Sequence, residues 1–414
     1  MRNMCIGEIN MNSKSKIFFS SVVVSLVSTF VLADQNSSGF NPDINLIIDG
    51  RYGGYSNSSS YSLPGFMLGG EASRGEKGFA LGHNELTISS DIDDMFYGKF
   101  TTAITDHDSS TEVELEEAFI ETIGLDGGLA VKAGRFFSDI GYLNNQHGHS
   151  WDFVDAPLIY RGLFGNQIID DGIQLSWIAP TDLYLKMGAE ATRGARYPSA
   201  GANNGGAGAT ALFVKLGGDV GVSHSWQAGI SHWESDVTGR EAASHSHAGT
   251  TATEIPTFIG TSKVNGIDFV WKWSPQGNAN EKSLKVQAEY FEREESGVVN
   301  MVGSSPLETT TYTGKQQGWY LQTVYKFMPY WRVGLRYDEL DSANTGSETS
   351  ILTEAGLTTN GHTPRRSSVM IDYARSEFSR IRLQLMQDDS YSDSDTIVFL
   401  QYTMSLGSHG AHKF

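Results

Sequence analysis

Two histidine pairs stand out by spacing. His147 and His149, and His245 and His247, each lie two residues apart in polar, loop-like stretches. His107 is flanked by Asp106 and Asp108, and His409 and His412 lie near the C-terminus. Imidazole combined with carboxylate suits zinc and similar divalent ions. Alternate residues of an extended chain point apart, so either pair chelates only if a turn brings its rings together. Without one, these are solvated loop histidines. A second chemistry is carried by charges. Lys132, Arg135, Arg332, Arg336, Arg380 and Arg382 are basic, whereas Glu112, Glu114, Glu116, Asp152 and Asp155 are acidic. Arranged around an aqueous passage, such groups select ions by sign; facing one another across strands, they are ordinary ion pairs. The chain has no Gly-x-Ser-x-Gly elbow and no Ser/His pair with distinguishing context, so no catalytic residues and no enzyme are expected.

The elements that must hold these groups are strands. In Thr396–Leu406, Val398, Leu400, Tyr402, Met404 and Leu406 fall on one face and Gln401, Thr403 and Ser405 on the other. Period-two alternation of this length is a strand. Similar segments recur at about 44–52, 81–92, 96–105, 112–123, 129–136, 172–177, 183–191 and 211–216. They continue around Trp226–Ile230, then at about 267–273, 284–292, 315–327, 331–338, 368–374 and 379–387. With the last strand the count is about sixteen. Seven short turns alternate with eight longer loops, among them Ser235–Ser262 and Asp341–Arg365. A sandwich has no reason to sort its connections by length. A transmembrane antiparallel β-barrel does this, with short periplasmic turns, long outer loops and an even strand number. Trp273, Phe327, Tyr330, Trp331 and Phe96 sit beside the short turns, where an aromatic girdle belongs. In 112–121, Glu112, Glu114 and Glu116 share one face while Glu117 and Glu121 fall on the other. A bulge would return both to the lumen; otherwise they sit at a watery rim.

The whole-chain numbers agree. Mean hydropathy is low (−0.28) although aromatics make up 11% of 414 residues. The net charge of −18 argues against a nucleic-acid partner. Lys14 and Lys16 precede the apolar run Ile17–Leu32, and Val31-Leu32-Ala33 fits an export cleavage site before Asp34. Residues 1–33 are therefore expected to be a cleaved signal peptide with its true start at Met11, and residues 34–414 the barrel. Cleavage after residue 33 of the 414 leaves 381 and removes Cys5, the only cysteine. The expected location is the outer membrane of a Gram-negative bacterium, with its lipid as partner.

Sixteen strands enclose a water-filled lumen, whereas a plugged TonB-dependent receptor needs 22 strands. Passive diffusion of small hydrophilic solutes or ions is thus the expected role, and zinc or other divalent-metal binding or uptake by loop histidines is the alternative. Strand phase turns Lys99, Lys132, Lys186, Lys215, Lys272, Lys285, Lys326, Arg332, Arg336, Arg380 and Arg382 inward, and Asp49, Glu85, Asp91, Glu112, Glu114, Glu116, Glu190, Asp268, Glu289, Asp338 and Asp372 with them. Arg135 stands with Lys132 at the root of the connection that follows them, as part of a charged aqueous wall. The lumen then has no clear net sign. The connection Phe137–Asp170 is unusually apolar, with Trp151, Phe153, Leu158, Tyr160 and Phe164. Folded into the barrel, it would narrow the pore, with Trp151 and Phe153 on the wall and Asp152 and Asp155 toward the channel.

Glu114-Leu-Glu-Glu-Ala-Phe119 followed by Val131-Lys-Ala-Gly-Arg-Phe136 resembles the phosphate-selective porin family. Gly134-Arg-Phe-Phe-Ser, Gly141-Tyr-Leu-Asn, Trp151-Asp-Phe and Asp155-Ala-Pro are also similar to uncharacterised proteobacterial outer-membrane barrels. Some of those carry labels linking them to zinc or to TonB-dependent receptors. The resemblance, densest over 78–190 and the last strand, implies a sixteen-stranded channel that assembles as a homotrimer.

Overall fold

The structure, a computed structural model, describes residues 42–407 except 58–61, 73, 108–109, 201–205, 243–244, 247–252, 305 and 392. The expected signal peptide, His409, His412 and Phe414 lie outside the described residues. A single antiparallel sheet closes on itself as a sixteen-stranded barrel. Its strands are β1 (Asp43–Tyr55), β2 in two pieces (Gly78–Leu81 and Asn84–Asp91), β3 (Phe96–His107), β4 (Ser110–Thr122), β5 (Leu129–Phe137), β6 (Ile169–Ile178), β7 (Tyr184–Thr192) and β8 (Ala209–Val220). They continue as β9 (His224–Glu241), β10 (Thr253–Trp273), β11 (Ser283–Val302), β12 (Glu308–Met328), β13 (Trp331–Gly346), β14 (Arg365–Ser376), β15 (Ser379–Asp389) and β16 (Asp395–Gly407). β16 closes the barrel on β1, from Asn45 opposite Gly407 to Tyr55 opposite Ile397. Two short helices, α1 (Leu158–Phe164) and α2 (Thr349–Glu354), lie in loops.

Burial is inverted relative to a water-soluble protein. Ile173, Leu175, Ile267, Leu383, Leu400 and Leu406 are exposed on the outer face, while Asp49, Glu289, Arg336, Asp372, Arg382 and Gln401 are buried inside. Such a surface is stable only against lipid, and the closed ladder satisfies the backbone there. Among the girdle residues, Trp331 packs on Tyr373 with ring centroids 5.0 Å apart.

Several strands outrun their expected bounds. The segments 235–262, 293–314 and 339–346 are largely paired strand rather than loop. Here the pattern changes phase. The outer face becomes polar (Glu234, Asp236, Thr311, Thr313, Lys315), and the inner face carries Val237, Phe258, Val299, Met301 and Tyr312 in one buried cluster with Ile351 and Leu352 of α2. Water outside and a small apolar core inside are what a barrel wall needs once it rises above the membrane.

Two bulges re-aim the inner wall. Thr101 pairs with Glu117 but Thr102 with Leu115, leaving Glu116 as the extra residue in β4. Glu116 and Glu117 are both buried as a result. In β2, Gly50 pairs with Leu81 and Ile47 with Glu85, so Gly82, His83 and Asn84 span two positions of β1. Phe79 and Leu81 therefore face outward, while His83 and Glu85, of the same parity, turn inward. A Cβ at Gly82 would strike the Asp49 carboxylate, which makes this bend specific to glycine.

A closed ladder with no free edge resists detergent until heated. Unheated protein on a detergent gel is therefore expected to migrate differently from boiled protein. Identical mobility of the two samples would contradict the closed barrel.

Candidate functional site

The connection between β5 and β6 lies within the lumen. Its root is clamped by Asn144, whose amide donates to the Ser138 and Ile168 carbonyls and accepts from the Ile168 N–H. It then crosses to β11–β15. The Glu289 carboxylate of β11 accepts from the Tyr142 and Leu143 N–H groups at 2.8 and 3.1 Å and from the Tyr160 hydroxyl at 2.8 Å. Gly141 permits this approach: at φ +59° a Cβ would meet Glu289, Tyr160 and Phe291. Every residue of α1 is buried, and the Leu158 N–H donates to Asp338 at 2.9 Å.

The basic ladder is what the loop docks on. Asp155 receives Arg336 at 2.9 Å, Arg366 at 2.7 Å and Gln384 at 2.7 Å. Asp152 receives Arg332 and Lys285, each at 3.0 Å. Arg380 and Arg382 donate to the carbonyls of His149 and Trp151. Burial would raise both carboxyls, but Arg366 and Arg336 around Asp155, and Lys285 and Arg332 around Asp152, outweigh it and hold them well below the usual carboxylate range. These acids thus face the wall rather than the channel, contrary to expectation, because Lys285, Arg332, Arg336 and Arg366 concentrate positive charge there. Phe153 packs on the wall as expected, against Val324 and Met370 and 4.6 Å from the Arg336 guanidinium. Arg366, read as the flank of a loop, is an additional anchor that the sequence pattern did not reveal.

Other expected lumen residues divide. Lys132 is buried over the Phe119 ring. Arg135 shares the outward parity of Leu129 and pairs with Asp171 across the sheet at 2.6 Å, so it is not a lumen group. Glu112 is exposed, and Glu114 pairs with Arg196 at 2.7 Å. The first long loop also enters the lumen: Leu63 and Phe66 pack on the same core as α1. On the other side of the crossing loop a cavity of about 690 Å³ remains, where, leaving out the wall-bound Asp155, carboxylates outnumber guanidinium groups six to four.

At the edge of this cavity the loop meets β2 and β4. A 3₁₀ turn, Gly148–Ser150, stacks the His147 and His149 rings with centroids 5.6 Å apart, the turn that the spacing required. His147 Nδ1 lies 2.8 Å from Glu85 Oε2, and His149 Nδ1 2.8 Å from Glu85 Oε1. His147 Nε2 is 2.7 Å from Glu117, which Lys99 also approaches at 2.5 Å. His83 Nε2 stands 2.7 Å from Glu116 and 3.6 Å from Glu85. Two triads, Glu85–His147–His149 and His83–Glu85–Glu116, each have ligand atoms mutually within 4.8 Å. His245 is far less informative: its backbone forms a two-residue strand, but its side chain and all of His247 lie outside the described residues, as does the His107 side chain.

The sequence matches no family model. The fold is similar to a loop-L8-deletion form of OmpT, an outer membrane protein of Vibrio cholerae, at TM-score 0.53 and 10% identity, covering 88% of this chain and 99% of that one. The trimer form of OmpT gives 0.52 at 8% identity over 88% and 99%. The outer membrane channel DcaP of Acinetobacter baumannii gives 0.53 at 12% identity, covering 91% and 100%. At such identities the likeness concerns architecture. An uncharacterised protein of Aquifex aeolicus is 31% identical over 420 residues, spanning 94% of this chain and 83% of its own length. The chain is an outer-membrane β-barrel and belongs to the same family as this Aquifex aeolicus protein.

Proposed function

We propose that the barrel is a passive-diffusion channel for small hydrophilic solutes or ions, constricted by the loop between β5 and β6. The observation that carries this reading is the docked loop. It occupies one side of the lumen, against β11–β15, and leaves an aqueous cavity along β1–β4 on the other. A barrel of this strand number is too wide for side chains alone to fill, so the loop sets the passage. Of the arginines that could have made an anion ladder, Arg332 pairs with Asp152 and Asp372, Arg336 with Asp155 and Arg382 with Asp372, while Arg380 is taken up by loop carbonyls. The opposite wall, with Asp49 and Glu112 and more carboxylates than guanidinium groups, favours cations. A homotrimer belongs to the reading through the family resemblance and the trimer form of OmpT; an unheated gel band at monomer mass would remove it.

Reversal potentials in a planar bilayer under a potassium chloride gradient test the selectivity. Cation preference is expected. A reversal potential at the chloride equilibrium value would contradict the assignment of the acidic wall.

A further inference from the structure

We propose that the histidine–glutamate cluster beside the crossing loop binds one divalent first-row transition-metal ion, with zinc as the reference case. His147 Nδ1, His149 Nδ1 and the Glu85 carboxylate supply the first three ligands, and the His83–Glu116 pair stands beside them. The channel reading enters only through the route by which the ion arrives.

Four observations converge. First, three separate stretches of sequence meet here, two of them through bulges: His83 and Glu116 lie in the irregularities of β2 and β4, and bulges commonly re-aim side chains at functional sites. Second, Glu85 is 1% exposed, and its Oε2 and Glu116 Oε2 stand 2.8 and 3.6 Å from His147 Nδ1 in ion-pair contact but without hydrogen-bond geometry. A bound ion would give all three buried atoms a directed partner. Third, the separations suit coordination. Donor atoms around a tetrahedral zinc stand roughly 3.3 Å apart for bonds of about 2.0–2.1 Å, and the nitrogen–oxygen distances here run from 2.8 to 3.6 Å. Fourth, the supporting shell is present. His147 turns its other nitrogen to Glu117, the carboxylate–histidine arrangement that orients metal-bound imidazole. Lys99 balances Glu117. Imidazole nitrogens select against calcium and magnesium, which prefer oxygen donors. His83, Glu116 and His149 line the 690 Å³ cavity, so an ion has a path to the site.

The test is calorimetric titration of zinc chloride into chelator-treated barrel in detergent, which does not require the protein to conduct. A binding heat near one zinc per chain is expected, with none for calcium. His147→Ala with His149→Ala should abolish it. Glu117→Gln should weaken it by about 10–100-fold, and His245→Ala with His247→Ala should leave it unchanged. The isosteric Glu85→Gln carries the test if the double alanine variant loses the heat-dependent gel shift. Absence of zinc heat in the wild type would overturn the proposal. So would wild-type affinity in a correctly folded His147/His149 or Glu85 variant. A barrel that binds zinc but passes no current would retain this site and lose the channel.

Discussion

Replacing Asp155 by Asn is expected to unmoor the crossing loop. The substitution keeps the side-chain shape but removes the charge between Arg336 and Arg366, both about 1% exposed. Breaking a buried ion pair from one side costs up to about 3–5 kcal/mol, and Asp338, 3.1 Å from Arg336 and 3.6 Å from Arg366, is then the one carboxylate left between two buried guanidinium groups. Most of the barrel is indifferent, since its ladder does not involve the loop. The effect should therefore appear in the channel: a quiet open current becomes noisy, mean conductance rises and cation preference falls as guanidinium groups face the lumen. Single-channel recording checks this, and a trace as quiet as the wild type would remove Asp155 from its anchoring role. The pH behaviour follows from the same ion pairs. A carboxyl held below its unfolded value contributes stability that is complete above that value, near 3.9, and is lost only as pH falls through the folded value. Asp155 and Asp152 are both held low by their basic neighbours. The share of loop docking carried by Asp152 and Asp155 should thus stay constant between about pH 8 and 4.

The membrane-spanning wall was legible in the sequence because lipid outside and water inside impose one alternation on every strand. Leu400 and Gln401 display it without any knowledge of their neighbours. The bulge at Glu116 was legible only as one of two readings, beside a watery rim, since Glu117 and Glu121 broke a parity that the rest of β4 obeyed. Above the membrane the alternation reverses, with Thr311 outside and Tyr312 inside, so β9–β13 read as ending too early. The bulge at Gly82–His83 escaped because Leu81 and Ile88 are both apolar and apolar residues on both sides of a slip conceal it.

The site was legible only in part. The apolar character of Trp151, Phe153, Leu158 and Tyr160 announced a loop that packs, and the His147–His149 spacing announced ligands that lacked a turn. What opposes the loop is set by closure of the barrel, which brings β11–β15 across from residues more than a hundred positions earlier. Local pattern carries no record of that encounter. Asp152 and Asp155 were consequently turned the wrong way, Arg366 was missed, and Arg135 was assigned inward although its parity is outward. His83 was overlooked because a single histidine in a strand has no distinguishing spacing.

The most direct measurement for the central claim is the single-channel conductance of a variant in which Asn144–Asp155 is replaced by a Gly/Ser linker. This deletion removes both acidic anchors, the aromatic contacts of Trp151 and Phe153, and the turn bearing His147 and His149, while leaving all sixteen strands intact. If the loop sets the bore, conductance should rise severalfold over the wild type and ion preference should weaken, with the heat-dependent gel shift retained. A correctly folded variant with wild-type conductance would show that the loop does not define the passage, and the constricted-channel account would be wrong.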